Sequence, residues 1–210
     1  MRYLFLAGLF IAGCVAAEKP VEPDLKPVIR YQADWDGKPD GAAWTALTVQ
    51  AMSDLGGALL TANVSDVADF CPAYPQITSE AQKSAFWVGL ISAMARLESG
   101  HDPSVSYQEN FKTSDGRWVI SRGLLQLSQE SANAYRGCSV PRDNEALLHD
   151  AEVNLRCGVI ILSRWVGADG QIADTEAPWR GGARYWSVLR VPARISAIKA
   201  YTRGMTVCGG

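Results

Sequence analysis

Apolar residues recur at three- and four-residue spacing through most of the chain, and strict alternation is rare. From Ile77 onward the helical period is clear, with Phe86, Leu90, Met94 and Leu97 on one stripe. Ser79 with Gln82 supplies a capping-box start for this long helix, and Gly100 supplies its stop. A second helix is expected from Ser128 to Gly137. A third is expected from about Asn144, with Leu148, Ala151, Leu155, Val159, Leu162 and Val166 as its stripe and Gly167 as its end. A short fourth covers Ala183 to Leu189, and a fifth starts at Pro192, a favourable first-turn residue, and runs to about Arg203. Upstream, Ala42 to Leu60 and Val64 to Phe70 read as helices behind the loop Asp36 to Gly41. Only Trp118 to Ser121 reads as a brief strand. The pattern therefore predicts a mainly α fold with a small β element and a helical N-terminal extension.

The N-terminus changes the picture of where the chain resides. Arg2 precedes a short apolar run from Leu4 to Ala12, too short to span a bilayer and of the form of an export signal. The run ends in Ile11-Ala12-Gly13-Cys14, which resembles the lipobox of bacterial lipoproteins. That resemblance implies cleavage before Cys14, lipidation of its thiol and, since Val15 is not an acidic retention signal, an outer-membrane lipoprotein facing the periplasm. The rival is an ordinary cut after Ala17. Pro20, Pro23 and Pro27 among charges read as an extended tether. The expected division is a signal peptide over 1–13, a lipidated tether over 14–27, an N-terminal extension over 28–75 and a catalytic domain over 76–210.

Composition then narrows the class. The 210 residues carry 20 Lys plus Arg against 22 Asp plus Glu, and 48% are hydrophobic. That supports a packed core and argues against a dominant phosphate-binding function, so no nucleic-acid partner is expected. Beyond Cys14 the cysteines are Cys71, Cys138, Cys157 and Cys208. An even number in an exported chain points to two disulfides with three formal pairings. The favoured pairing joins Cys138 to Cys157, tying a loop to a nearby helix, and Cys71 to Cys208, tying the C-terminal tail to the front of the domain. His101 and His149 lack the neighbours a metal needs, so no metal or cofactor is expected.

The candidate for chemistry is Glu98. It ends the long helix near Met94 and Trp87, at the negative end of the helix dipole. Dipole and apolar surroundings both disfavour ionisation, as a general acid for glycosidic cleavage requires. Taken alone, a glutamate at a helix end is a solvated surface group.

Its company alters that reading. Glu98-Ser99 is followed by Gly123-Leu124-Leu125-Gln126, then Asn154 with Gly158 on a helix, then Ala183-Arg184-Tyr185-Trp186. These blocks, in this order, resemble the soluble lytic transglycosylase domain, a lysozyme-like family acting on peptidoglycan glycan strands. The resemblance covers about Thr78 to Arg203. It implies a lysozyme-like helical fold and a monomer that binds peptidoglycan strands, with the membrane reached through the lipid anchor. It makes Glu98 the single catalytic acid, which protonates the oxygen between N-acetylmuramic acid and N-acetylglucosamine and then deprotonates the muramic C6 hydroxyl, leaving a 1,6-anhydro end. By the same resemblance Ser99, Leu125, Gln126, Asn154 and Tyr185 are substrate-binding candidates, with a structural hydrogen bond to the active-site loop as the other role for Asn154.

The departures concern substrate preference. Leu125 stands for the usual Met, Trp186 for an Asn, and Arg184 for a small residue, and the loop from Tyr107 to Arg122 is longer than in typical members. Asp102 and Asp115 are the nearest candidates for a second carboxylate, which would make the enzyme a lysozyme-type hydrolase, although both sit in turn-like sequence. Trp118, Trp179 and Trp186 are candidates for sugar stacking, while Trp87 and Trp165 belong to helix apolar faces. From Ala177 the chain has Arg180, Arg184, Arg190, Arg194, Lys199 and Arg203 and no acid. These face either anionic peptide stems, lipid headgroups or plain solvent. The alternative of another class is a catalytically silent glycan-binding envelope protein.

Overall fold

The computed structural model describes residues 29–210. The signal, Cys14 and the tether lie outside the described residues. Among those described, no helix is long and apolar enough to cross a membrane.

The fold is built around α4, Glu80–Ser99. Its start is capped by Ser79, whose Oγ accepts the Gln82 N–H, and Gly100 closes it in the left-handed conformation at φ 64°. From Ser84 to Ala95 every residue is buried. α4 is therefore not a surface helix with one apolar stripe; it is covered on all sides, which the small residues Ala85, Gly89, Ser92, Ala93 and Ala95 allow. Inside, Trp87 donates its indole N–H to Tyr74 Oη at 2.9 Å.

Three helices precede it: α1 (Gly41–Leu55), α2 (Gly57–Thr61) and α3 (Val67–Phe70). They do not form a separate layer. α1 packs on α4 and on α6 (Ala151–Asp169), α2 packs on α6, and α3 packs on α7 (Pro192–Arg203). One continuous core runs from Ala33 to Cys208 and includes the fully buried Trp35. Polar ties cross the same boundary. Asp34 pairs with Arg96 at 2.6 Å, and the Asp66 carboxylate accepts the backbone N–H groups of Ile172 and Ala173 at 2.8 and 3.0 Å.

Two disulfides complete the frame: Cys71–Cys208 and Cys138–Cys157. They mark an oxidising, exported environment.

Beyond α4 the structure departs from the sequence pattern. The stretch Tyr107 to Arg122, expected as a long loop with a brief strand at Trp118 to Ser121, has that strand as β2 (Trp118–Arg122) and pairs it in an antiparallel hairpin with β1 (Ser106–Lys112), which was not expected. Tyr107 pairs with Ser121 and Lys112 with Trp118, with an irregularity between Gln108 and Lys112. β1 escapes sequence detection because it buries no face; only Glu109 is less than fully exposed, so there is no apolar alternation to read. The expected helix from Ser128 shrinks to α5, Gln129–Asn133. The expected third helix begins later, at the Asp150 cap, after a 3₁₀ turn at Glu145–His149. It also runs past Gly167, which lies against Ala58, and stops at Gly170 with φ 63°. Ala183 to Leu189 is two 3₁₀ turns, Gly181–Arg184 and Ser187–Leu189. The result is mainly α with one small two-stranded sheet.

The Cys71–Cys208 bridge closes a loop of sequence separation 137. Its removal as the double variant Cys71→Ala, Cys208→Ala is expected to destabilise the protein by about 2–5 kcal/mol, read as a lower midpoint in urea unfolding.

Candidate active site

A cleft of about 740 Å³ lies where the C-terminal end of α4 meets the hairpin, the Gly123–Ser128 loop and the segment Arg184–Arg194. Glu98, Glu109, Gln126 and Tyr185 line it, with Tyr107 and Phe111 on the hairpin wall.

Its floor is set by Asn154 on α6, which is fully buried. Asn154 Oδ1 accepts the Leu125 N–H at 2.9 Å, and Nδ2 donates to the carbonyls of Arg122 and Leu148 at 2.9 and 2.8 Å. The loop passes so close that Gly123, at φ 77°, has no room for a Cβ against Leu148 O and the Asn154 amide. Gly158, one turn along α6, makes the corresponding room for the Leu125 side chain. Ser99 Oγ donates toward Leu124 O at 3.0 Å and lies 3.1 Å from Ala95 O, which fastens the end of α4 to the same loop.

These contacts redistribute the residues singled out by sequence. Leu125 is 1% exposed, belongs to the core under the cleft and is not part of its lining. Asn154 and Ser99 spend their polar atoms on the loop backbone and do not line the cleft. Trp186, 2% exposed, lines the cleft wall and donates its indole N–H to Leu125 O at 3.0 Å, which braces the loop. Gln126 and Tyr185 do line the cleft. Gln126 holds a left-handed backbone, φ 47°, and its Nε2 donates to Val105 O at 3.0 Å and Gly123 O at 2.8 Å. Its Oε1 is left buried with no partner, as is Glu98 Oε1. Both are acceptor positions on the cleft that the protein itself does not fill. Tyr185 is deeply buried, which raises its phenol well above the usual range, with the Ser131 hydroxyl and the Ser128 backbone as polar neighbours.

Glu98 has its pKa pushed up to about 7. Burial is the main cause, the nearby Glu109 charge adds to it, and Arg194, the Val188 backbone and Arg190 oppose it. Glu98 is therefore a carboxyl group that keeps its proton into the neutral range.

Glu109 is the residue the sequence reading missed. The carboxylates proposed as its second acid are elsewhere. Asp102 is exposed and binds the Ser104 N–H and hydroxyl at 2.8 and 2.6 Å in a turn. Asp115 is exposed at the hairpin tip, bound to Thr113 and Arg117. Those donors lower both carboxyls from their ordinary value. Neither lines the cleft. Glu109 lies between Tyr107 and Phe111 on β1 and accepts the Ser121 hydroxyl at 2.7 Å from the facing strand. The signal that could have found it was a lone acid with an aromatic residue two positions away on either side, legible only once the segment is known to be a strand.

The tryptophans and histidines sort similarly. Trp118 is 47% exposed under the Lys112 ammonium, outside the cleft lining, and Trp179 lies 3.8 Å from the Arg190 guanidinium. His101 Nε2 faces Ser92 O at 2.9 Å, and His149 Nδ1 faces Pro103 O at 2.7 Å. Among the described residues no group of His, Cys, Asp and Glu is gathered as a metal site.

No protein-family model and no curated protein sequence matches the chain. Solved structures do. The chain is 42% identical to a wild-type form of DslA from Bdellovibrio, over 84% of this chain and 97% of that one, with a TM-score of 0.77. Two glutamate-to-glutamine variants of DslA match over the same shares at 42% and 41% identity, with TM-scores of 0.78 and 0.76. At that identity and coverage the chain belongs to the DslA family.

Proposed function

We propose that this protein cleaves the glycan strands of peptidoglycan by hydrolysis, with Glu98 as general acid and Glu109 as the carboxylate that activates water. The observation that carries the reading is the pairing of a buried carboxyl held near pKa 7 with a second carboxylate in the same cleft. Two carboxyl groups of unlike environment flanking one site are the usual equipment for hydrolysing a glycosidic bond. The family adds support. The two glutamates replaced in the DslA variants stand eleven positions apart, as do Glu98 and Glu109. The substrate class comes from the resemblance of the Glu98-Ser99, Gly123–Gln126, Asn154 and Tyr185 blocks to peptidoglycan-cleaving domains.

In this mechanism the Glu98 proton passes to the glycosidic oxygen as the bond from that oxygen to the muramic C1 breaks. A water attacks C1 and gives its proton to Glu109, which Ser121 holds in place. Gln126 Oε1, its amide fixed by two carbonyls, accepts a hydroxyl or N–H of the bound sugar. The chain acts in the cell envelope, reached by export and held there through Cys14.

The four-block resemblance favours a second reading, the non-hydrolytic one, in which Glu98 works alone and the muramic C6 hydroxyl replaces water. Mass spectrometry of products from purified peptidoglycan separates the two. Reducing-end fragments, one water heavier, are expected from the wild type; 1,6-anhydro ends would overturn the hydrolytic assignment. Glu98→Gln and Glu109→Gln are each expected to lower turnover by about 10²–10⁴-fold. A Glu109→Gln protein with undiminished turnover would remove Glu109 from the mechanism.

The Glu98 titration also predicts a stability change with pH. Its folded-state pKa is raised from 4.5 to about 7, so the fold favours the protonated form. That contribution is complete below about pH 4.5 and is lost as pH rises through 7. Glu98→Gln removes the penalty of burying the charge. Relative to wild type it is expected to gain on the order of 3 kcal/mol between pH 4 and pH 8, with most of the gain between 4.5 and 7, read from urea unfolding at each pH. A pH-independent difference would mean that Glu98 titrates normally.

A further inference from the structure

Six basic residues follow Ala177, with no acid among them. The structure satisfies four of them. Arg180 donates to the Asp169 carbonyl at 2.9 Å, and Arg184 grips the Asp169 carboxylate at 2.6 and 3.1 Å. Lys199 reaches the Asp69 carboxylate at 2.8 Å, and Arg203 donates to the Asp69 carbonyl at 2.8 Å. Arg190 and Arg194 are different. Both line the cleft that holds Glu98, and neither forms an ion pair with an acid among the described residues.

Arg190 is fixed in place. Its Nε donates to Ala183 O at 2.6 Å, and Nη2 lies 3.0 and 3.3 Å from the carbonyls of Arg184 and Tyr185. The flat face of the guanidinium stacks on Trp179 at 3.8 Å. This leaves Nη1 without a protein acceptor among the described residues. Arg194, exposed in the first turn of α7, has no side-chain acceptor among them at all. Glu98 does not neutralise the pair while it holds its proton, and Glu109 takes its hydrogen bond from Ser121 on the hairpin. The cleft thus sets two carboxyl groups against a cationic wall whose donors have no internal anion.

We propose that Arg190 and Arg194 form a carboxylate-binding subsite for the acidic side group that distinguishes a muramic residue from a plain amino sugar. The inference rests on the peptidoglycan reading of the cleft. Arginine suits the task because its planar fork matches a carboxylate, and a rigid guanidinium loses little entropy on binding. The carboxylate has two sources: the free lactyl group of a strand without peptide, or the acidic positions of a stem peptide.

The test measures binding to the Glu98→Gln protein, so that cleavage does not interfere. Three probes of matched length are used: peptide-bearing peptidoglycan fragments, the same fragments stripped of peptide, and a neutral N-acetylglucosamine oligosaccharide. Arg194→Gln is expected to weaken both acidic probes about tenfold and the neutral probe little, with Arg194→Lys keeping part of the affinity. Loss on the stripped probe alone assigns the free lactyl carboxylate, loss on the peptide-bearing probe alone assigns the stem, and loss on both assigns a subsite that accepts either carboxylate. Equal loss on all three probes, or none on any, overturns the subsite. If Glu98→Gln protein binds no glycan at all, the peptidoglycan reading falls and the subsite with it; glycan binding without charge discrimination removes the subsite alone.

Discussion

Asn154 sits fully buried on α6 and divides its amide among three backbone groups, the Leu125 N–H and the carbonyls of Arg122 and Leu148. The rest of the cleft hangs on that side chain. A loop with several buried polar backbone groups must have each of them paired, and here one amide pairs the Leu125 N–H and the Arg122 carbonyl and ties them to the turn at Leu148. Once it does, Gly123 is forced into its left-handed turn, Leu125 drops into the space opened by Gly158, and Gln126 is thrown into the cleft with its oxygen unpaired. Ser99 and Trp186 then clamp the same loop from α4 and from the C-terminal segment. The residues that sequence comparison groups as one site are thus divided by packing into a few that face the cleft and several that hold them there.

The electrostatics of the cleft follow from what surrounds Glu98. Burial in the last turn of α4 costs its charged form more than Arg194 and Arg190 return, so the proton stays. Glu109 has a different setting: it is half-buried on β1, a strand otherwise exposed along its length, and receives a hydroxyl hydrogen bond. The difference arises from location on a core helix against location on a solvated strand.

Charge helps to position the hairpin, alongside the buried Val119 of β2. Arg117 joins Asp115, Glu130 and Glu145, and Arg122 also reaches Glu145 at 2.9 Å. These groups are partly exposed, so each pair contributes little alone and salt screens it. Taken together they tie the hairpin tip to α5 and to the turn before α6, holding Glu109 over the cleft.

Much of this was legible in the chain. The capped start and glycine stop of α4, the Pro192 start of α7 and the apolar stripe of α6 are local signals, and local signals survive folding because they act within a turn or two. Glu98 and its four blocks were legible for a related reason: each block is short and its spacing along a helix or turn is fixed by backbone geometry. What the sequence left open depends on distant residues meeting. β1 carries no apolar alternation, since all of its residues but Glu109 are exposed, and Glu109 therefore looked like any surface acid. Asp102 and Asp115 looked better placed only because they are near Glu98 along the chain. Whether Leu125, Asn154 and Trp186 touch substrate or support it, and which of six basic residues remain without an anion, is decided by which groups pack against them. The chain by itself determined α4, α6 and α7 and singled out Glu98; tertiary packing determined which carboxylate shares its cleft and the charge of the wall it faces, because burial and pairing are properties of neighbours that sequence order does not specify.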